Sequence, residues 1–345
     1  MSELANIPLS VLDLASVVSG DSIANAYGRT VALAREAERL GLHRFWLAEH
    51  HNLEGIASAA TAVLIGHVAG QTSHIRVGSG GVMLPNHAPL VIAEQFGTLE
   101  TLYPGRIDLG LGRAPGTDGV TARALRGGAT GMEPEFPELL AELRGYLGPA
   151  EAGQRVRAIP GEGLDIPIWL LGSSGYSAQL AGQLGLPFAF ASHFAPQHVL
   201  QALDLYRRVF RPSEVLDRPY AMVAMNVIAA DTLEHANYLA TSLQQRFLRM
   251  MRNQRGHLDP PVERMDDLWS EREAAMVAAH LEASAIGDPE TVRARMQSFL
   301  DATAADEIIV SCDVWSSEER LRSLRLLAQA AKACSTSGEE TTTGG

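Results

Sequence analysis

Short apolar runs alternate with longer segments of helical period along almost the whole chain. Ile7–Leu14, Arg44–Ala48, Ile75–Gly78, Ile107–Leu111, Ile166–Leu171, Pro187–Ala191, Tyr220–Ala230 and Glu307–Cys312 read as strands. Helices are expected over Asp21–Leu40, Ala59–Gly70, Leu90–Leu102, Ser174–Leu184, Pro196–Phe210 and Thr232–Met251, with a further helical region reaching about Leu147. In the first of these, Ile23, Tyr27, Val31, Ala34, Ala37 and Leu40 recur every three or four residues and mark one buried stripe. Asp21 is its expected N-cap, and Gly41 follows its end. Asp288-Pro289-Glu290 opens a helix running to about Leu300, and Ser316 with Glu319 predicts a capping box for the last helix.

Two stretches break the rhythm. Residues 252–283 hold Asp259-Pro260-Pro261 and a charged, weakly periodic run, and they read as a lid-like, partly helical insertion before the last strand. Residues 335–345 are Ser, Thr, Gly and Glu, a composition expected to be disordered.

Strands separated by helices imply parallel pairing, because a parallel connection needs a crossover. Eight such units predict an α/β fold, a (β/α)8 TIM barrel formed as one domain by residues 1–334. A doubly wound sheet would favour a glycine fingerprint after the first strand. Leu14 leads instead into Ala15-Ser16-Val17-Val18-Ser19-Gly20.

Composition narrows the partners. The 345 residues are 46% hydrophobic and carry a net charge of −12, with basic residues scattered, which argues against nucleic acid and anionic membranes. The longest uncharged stretch, Ile56–Ile75, is too polar to span a bilayer. Cys312 and Cys334 have no metal or disulfide spacing, and the N-terminus lacks a signal-peptide pattern, so a cytoplasmic protein is expected. Lys332 is the single lysine and lies in the last helix, which excludes a Schiff-base aldolase.

In a barrel, chemistry collects where strands end. The apolar run Phe45-Trp46-Leu47-Ala48 ends abruptly in Glu49-His50-His51. Three readings compete there: a metal site, a neutral imidazole acting as base or hydrogen-bond donor, and histidines that satisfy loop backbone. Metal is disfavoured, because adjacent residues on an extended segment point in opposite directions. His87 and His193 carry the same ambiguity. Gly80-Gly81 ends the third strand, where glycine admits either a flat ligand or a tight bend. The turn Gly172-Ser173-Ser174-Gly175-Tyr176-Ser177 opens a helix straight after a strand, and a helix N-terminus with free hydroxyls favours an anion, although a plain serine N-cap reads the same way. Arg113, just past the fourth strand, adds a permanent charge suited to phosphate.

These residues, with "GLHRFWLAEHH", "IRVGSGGVMLPNHAPLVIAEQFGTLETLYPGRIDLGLGRAPG", "IPIWLLGSSGYSAQLAGQLGLPFAFASHF" and "SAIGDPETVRARMQSFL", resemble the bacterial-luciferase-like flavin-dependent monooxygenases. The resemblance covers nearly the whole chain. It implies a barrel that uses reduced flavin mononucleotide (FMN) and O2 on a small organic substrate, a separate flavin reductase and a homodimer through early barrel helices. His50 is implied to assist the oxygen chemistry at the flavin edge. Gly80 and Gly81 are implied to abut the isoalloxazine. Arg113 and the turn Gly172, Ser173, Ser174 and Ser177 are implied to bind the phosphate, and His193 is grouped with these cofactor-binding candidates. The luciferase pattern has a reactive cysteine where this chain has Gly112, which argues against light emission. Rival readings are a deazaflavin-dependent hydride transferase of the same superfamily and a flavin-binding protein without turnover.

Overall fold

The computed structural model describes residues 3–114, 116–126 and 135–333. Eight strands close a parallel ring: β1 (Leu9–Asp13), β2 (Arg44–Leu47), β3 (Arg76–Ser79), β5 (Ile107–Gly112), β6 (Ile168–Gly172), β7 (Phe188–Phe190), β8 (Ala221–Ala229) and β10 (Glu307–Ser311). Closure comes from β10, which pairs with β1 through Leu9–Ile308 and with β8 through Ile308–Val223. This is the expected (β/α)8 barrel. Two short strands were not foreseen. Strand β4 (Val82–Met83) adds to β5, and β9 (Ser284–Gly287) adds to the far half of the nine-residue β8. Strand β9 is four residues long, too short for its alternation to register in the sequence.

The helices that return the chain are α1 (Ile23–Arg39), α2 (Thr61–Ala69), α3 (Pro89–Leu102), α4 (Gly119–Leu125), α5 (Phe136–Leu147), α6 (Gly175–Leu184), α7 (Val199–Val209), α8 (Leu233–Met251), α9 (Glu271–His280), α10 (Pro289–Thr303) and α11 (Ser317–Lys332). Three local expectations are corrected. Ser22, not Asp21, caps α1, because its hydroxyl accepts from the Asn25 amide while Asp21 turns to the Asn25 side chain. Ile23 is 55% exposed, so the buried stripe of α1 begins one turn later. Ser316 accepts from the Glu319 amide, and the return half of a capping box is not formed. The tail 335–345 lies outside the described residues.

Apolar side chains of the outer strand faces and the helices form the main core, with Phe45, Phe96, Phe188 and Tyr206 fully buried. The lower barrel interior is charged. Arg44 reaches Asp108 at 2.8 Å and Glu307 at 3.1 Å, Arg76 holds the other oxygen of Asp108 at 2.7 Å, and Tyr220 donates to Glu307 at 3.0 Å. Above this layer the Trp46 and Trp169 rings meet edge to face with centroids 5.2 Å apart. Burying ions is costly unless each is paired and hydrogen-bonded, and this network pairs them. The barrel is therefore plugged at its base, and the open volume lies at the C-terminal ends of the strands.

The lid-like insertion packs over that open end. Leu258 bridges to Val18, exchanging backbone bonds with Val17 and Ser19 at 2.9 and 2.8 Å. Arg255 pairs with Asp118 at 2.7 Å and donates to the Asn52 carbonyl. Helix α9 of the same segment carries a full capping box between Ser270 and Glu273.

Candidate active site

A cavity of about 710 Å³ opens at the barrel mouth. Nine of the candidate residues read from the sequence line it, namely His50, Gly80, Gly81, Arg113, Gly172, Ser173, Ser174, Ser177 and His193, whereas Glu49, His51 and His87 do not. The nine follow five different strands, so only closure of the barrel brings them together.

His50 leaves the end of β2 toward the cavity, and its Nδ1 lies 3.2 Å from the Gly116 carbonyl. A carbonyl only accepts, so Nδ1 carries the proton and Nε2 presents a lone pair. Burial pushes the imidazole below its ordinary range, which keeps it neutral at pH 7. His193 is neutral too: burial takes it down to about 4, against the field of Asp313. Its Nδ1 is buried without a hydrogen-bond partner among the described residues. A buried polar atom left unpaired is costly, and the residue that carries it lines the cavity.

Glu49 and His51 do something else. The His51 Nε2 lies 2.8 Å from Glu49 Oε1, and the His87 Nε2 lies 2.8 Å from the same oxygen. The second Glu49 oxygen accepts from the Met83 amide. Burial alone would push this carboxyl up. Hydrogen bonds from His87 and His51 outweigh it and hold the group below the usual carboxylate range. The three potential ligand atoms lie within 4.8 Å of one another, a grouping that the expectation of no metal did not foresee. Both imidazoles sit at hydrogen-bond distance from one oxygen, which satisfies the carboxylate without an ion.

Gly80 and Gly81 face inward crowding rather than open space. A Cβ on Gly80 would stand 2.8 Å from Leu12, and one on Gly81 would stand 2.8 Å from the Gly110 carbonyl. The peptide between them is cis. Glycine is therefore demanded by the barrel's own packing, and the flat surface it leaves is available to the cavity. Gly112 is likewise pressed, since a Cβ there would meet the Met83 sulfur at 2.9 Å.

The turn after β6 leads directly into a helix N-terminus at the cavity. Helix α6 starts at Gly175, with Ser174 as N-cap making no side-chain cap bond. Arg113 forms no ion pair among the described residues and lies over the Tyr176 ring, 4.1 Å from its centroid. An unpaired guanidinium beside a free helix N-terminus and serine hydroxyls is a donor set that fits a phosphate monoester. The donor set at α6 and the glycine surface at Gly80–Gly81 line one cavity, a combination that fits a phosphate-bearing cofactor with a flat ring.

Sequence reasoning missed Arg246. It sits on α8 and lines the cavity, with Nη1 2.6 Å from Asp313 Oδ2 and 3.1 Å from Ser16 Oγ. Asp313 in turn accepts from Ser16 at 2.9 Å. Only an arginine on the buried side of α8's stripe, among Leu239, Leu243 and Phe247, hinted at it.

The sequence model of the luciferase-like monooxygenase family matches residues 9–307. A luciferase-like monooxygenase of Escherichia coli (strain K12) is 55% identical over 320 residues, covering 93% of this chain and 96% of that one. Among solved structures, apo-MsnO8 superimposes with a TM-score of 0.84 at 34% identity, covering 96% of this chain and 99% of that one. At 17% identity the fold is also that of the oxygenating constituent of 3,6-diketocamphane monooxygenase from Pseudomonas putida in complex with FMN, with a TM-score of 0.68 and coverage of 94% and 98%. The fold, the mouth cavity and this match agree: the chain belongs to the luciferase-like monooxygenase family.

Proposed function

We propose that the protein is a two-component monooxygenase that takes reduced FMN from a separate reductase and uses it with O2 on a small organic substrate. One observation carries this reading. A single cavity joins an unpaired arginine and a helix N-terminus to two neutral imidazoles, His50 and His193. Bound reduced FMN supplies the electrons and the activation of O2. The chain's own part is binding, orientation, proton handling and exclusion of water. Arg113, the Gly172–Ser177 turn and the first turn of α6 hold the phosphate. Gly80 and Gly81 give the ring its flat support. His50, with Nδ1–H fixed on Gly116, holds a basic Nε2 toward the reacting region. The insertion covers the mouth through Arg255–Asp118 and the Leu258 bridge.

The protein is read as a cytoplasmic homodimer. Among the described residues no helix is long and apolar enough to cross a membrane. The experiment is a titration of the purified protein with reduced FMN without oxygen, followed by O2 consumption when oxygen and substrates are admitted. Tight binding of reduced FMN with substrate-dependent O2 uptake is expected. Binding without any uptake across substrates would favour a flavin carrier. Binding of a reduced deazaflavin in place of FMN would favour a hydride transferase.

A further inference from the structure

The chain is acidic overall, at −12, yet its mouth cavity is not. Four arginines line it, Arg113, Arg246, Arg249 and Arg255, against three acids, Glu54, Asp118 and Asp313. Two of these cations are spent on the lid. Arg255 is paired with Asp118, and Arg249 is paired with Asp259 and donates to the His257 carbonyl. Arg113 belongs to the anion cradle after β5. Arg246 stands across the ring, on the helix that follows β8, three strands away from β5.

Arg246 uses one nitrogen only. Nη1 holds Asp313 and Ser16, while Nε and Nη2 make no hydrogen bond among the described residues. Those two N–H groups form the fork that matches a carboxylate side-on. Its charge is met by Asp313, and its neighbours are further ion pairs. Behind it, Arg320 pairs with Asp13 at 2.6 Å, and Arg29 faces the same two buried carboxylates, Asp13 and Asp313. With Asp21, which also faces Arg29, three guanidiniums meet three carboxylates, and the cluster is balanced. Asp21 faces Arg29 from the exposed side, where water screens it. Arg246 and its partner Asp313 are the members of this group that line the cavity. Arg246 is near enough to His50 and His193 for its field to act on both rings. Leu243, Phe247 and Met250 flank it along α8 and give the same region an apolar wall. An open guanidinium fork, set in an apolar wall of the cavity that His50 and His193 also line, describes a receptor for an amphipathic anion.

We propose that Arg246 is a specificity residue whose free Nε–Nη2 edge binds a carboxylate on the organic substrate, while the α8 wall takes the substrate's apolar part. The inference rests on the monooxygenase reading for the word substrate, but the binding it describes can be measured apart from turnover. The protein is saturated with reduced FMN without oxygen and titrated calorimetrically with butyrate, hexanoate and 3-phenylpropionate, each beside its primary amide. A charge-assisted fork predicts that each acid binds about tenfold or more tightly than its amide. Arg246→Lys keeps a cation for Asp313 but lacks the fork, and it should erase most of that preference while leaving reduced-FMN affinity within about threefold. Equal binding of acids and amides by the wild type overturns the proposal without any variant. A preference that survives in Arg246→Lys, or a loss of reduced-FMN binding as large as the loss of acid binding, overturns it as well. If reduced FMN does not bind but the unloaded protein still prefers the acids, the carboxylate inference stands and the monooxygenase reading falls.

Discussion

The Nδ1 of His50 lies 3.2 Å from the Gly116 carbonyl oxygen, and that one contact fixes which ring nitrogen is free. With Nδ1–H donating, Nε2 is left as the acceptor of a ring that lines the cavity, and burial keeps that ring neutral. His50→Ala should bind reduced FMN almost normally and lose product formation by roughly 10²–10⁴-fold, the usual worth of a positioned base or acid. Oxygen should still be consumed, with more of it released as hydrogen peroxide. Parallel readings of flavin affinity, product and peroxide decide it. Loss of flavin binding as the main defect would remove His50 from proton handling.

His51 has a structural partner where His50 has a cavity. Its ring and that of His87 share Glu49 Oε1, each at 2.8 Å. His51→Ala leaves a buried carboxylate with one imidazole, and losing such a bond costs about 1–3 kcal/mol. Denaturation midpoints should fall clearly for His51→Ala and for His87→Ala, while turnover per folded molecule changes much less than in His50→Ala. Metal analysis of the purified protein tests the same trio. Stoichiometric zinc or iron bound there would replace the hydrogen-bond account with a ligand account.

Arg113 rests on Tyr176 and forms no ion pair among the described residues. Arg113→Ala should therefore weaken reduced FMN by about 10- to 100-fold, the range for a charge-assisted contact, without lowering stability. Riboflavin, which lacks the phosphate, should bind the wild type and the variant alike. A variant that binds FMN as tightly as the wild type would take Arg113 out of the cradle.

Acid should unfold this protein partly through His193. Its folded value is about 4, below the ordinary 6.5, because burial disfavours the charged ring. The unfolded chain then binds more protons than the folded one between those values, so stability falls as pH drops from about 6.5 toward 4. At pH 4.5 the loss from this group is about 2 kcal/mol. His193→Gln should lose less stability than the wild type across that window. Equal pH dependence in both proteins would contradict the buried, unpaired state of the ring.

The expected dimer meets a mixed surface. On α3, Ile92 is buried in the core, while Val91 is 44% exposed and free to meet a partner. Val63 on α2 and Leu102 on α3 are 74% and 62% exposed. Sedimentation at micromolar concentration should give a dimer, and Val91→Glu should shift it toward monomer with the fold intact. A wild-type monomer would end the homodimer reading.

The sequence by itself determined the barrel and the place of the site. Period-two runs set between period-3.6 segments demand parallel strands with helical crossovers, and eight of them close. Polar residues and glycines at the strand ends then belong to one mouth, which is why Glu49-His50-His51, Arg113 and the Gly172–Ser177 turn could be placed there without coordinates, while the choice of His50 came from the family resemblance. Local caps such as Asp288 were legible for the same reason, since their partners lie within three residues. The tertiary structure decided every relationship between residues distant in the chain. Glu49 pairs with His87, Arg246 with Asp313, and Arg44 with both Asp108 and Glu307. Each depends on strand register and on the ring closing through β10, and neither is encoded in a local window. That is why three charged side chains could sit inside strands that read as apolar, and why the arginine left with an open fork came into view only when α8 was placed over the barrel.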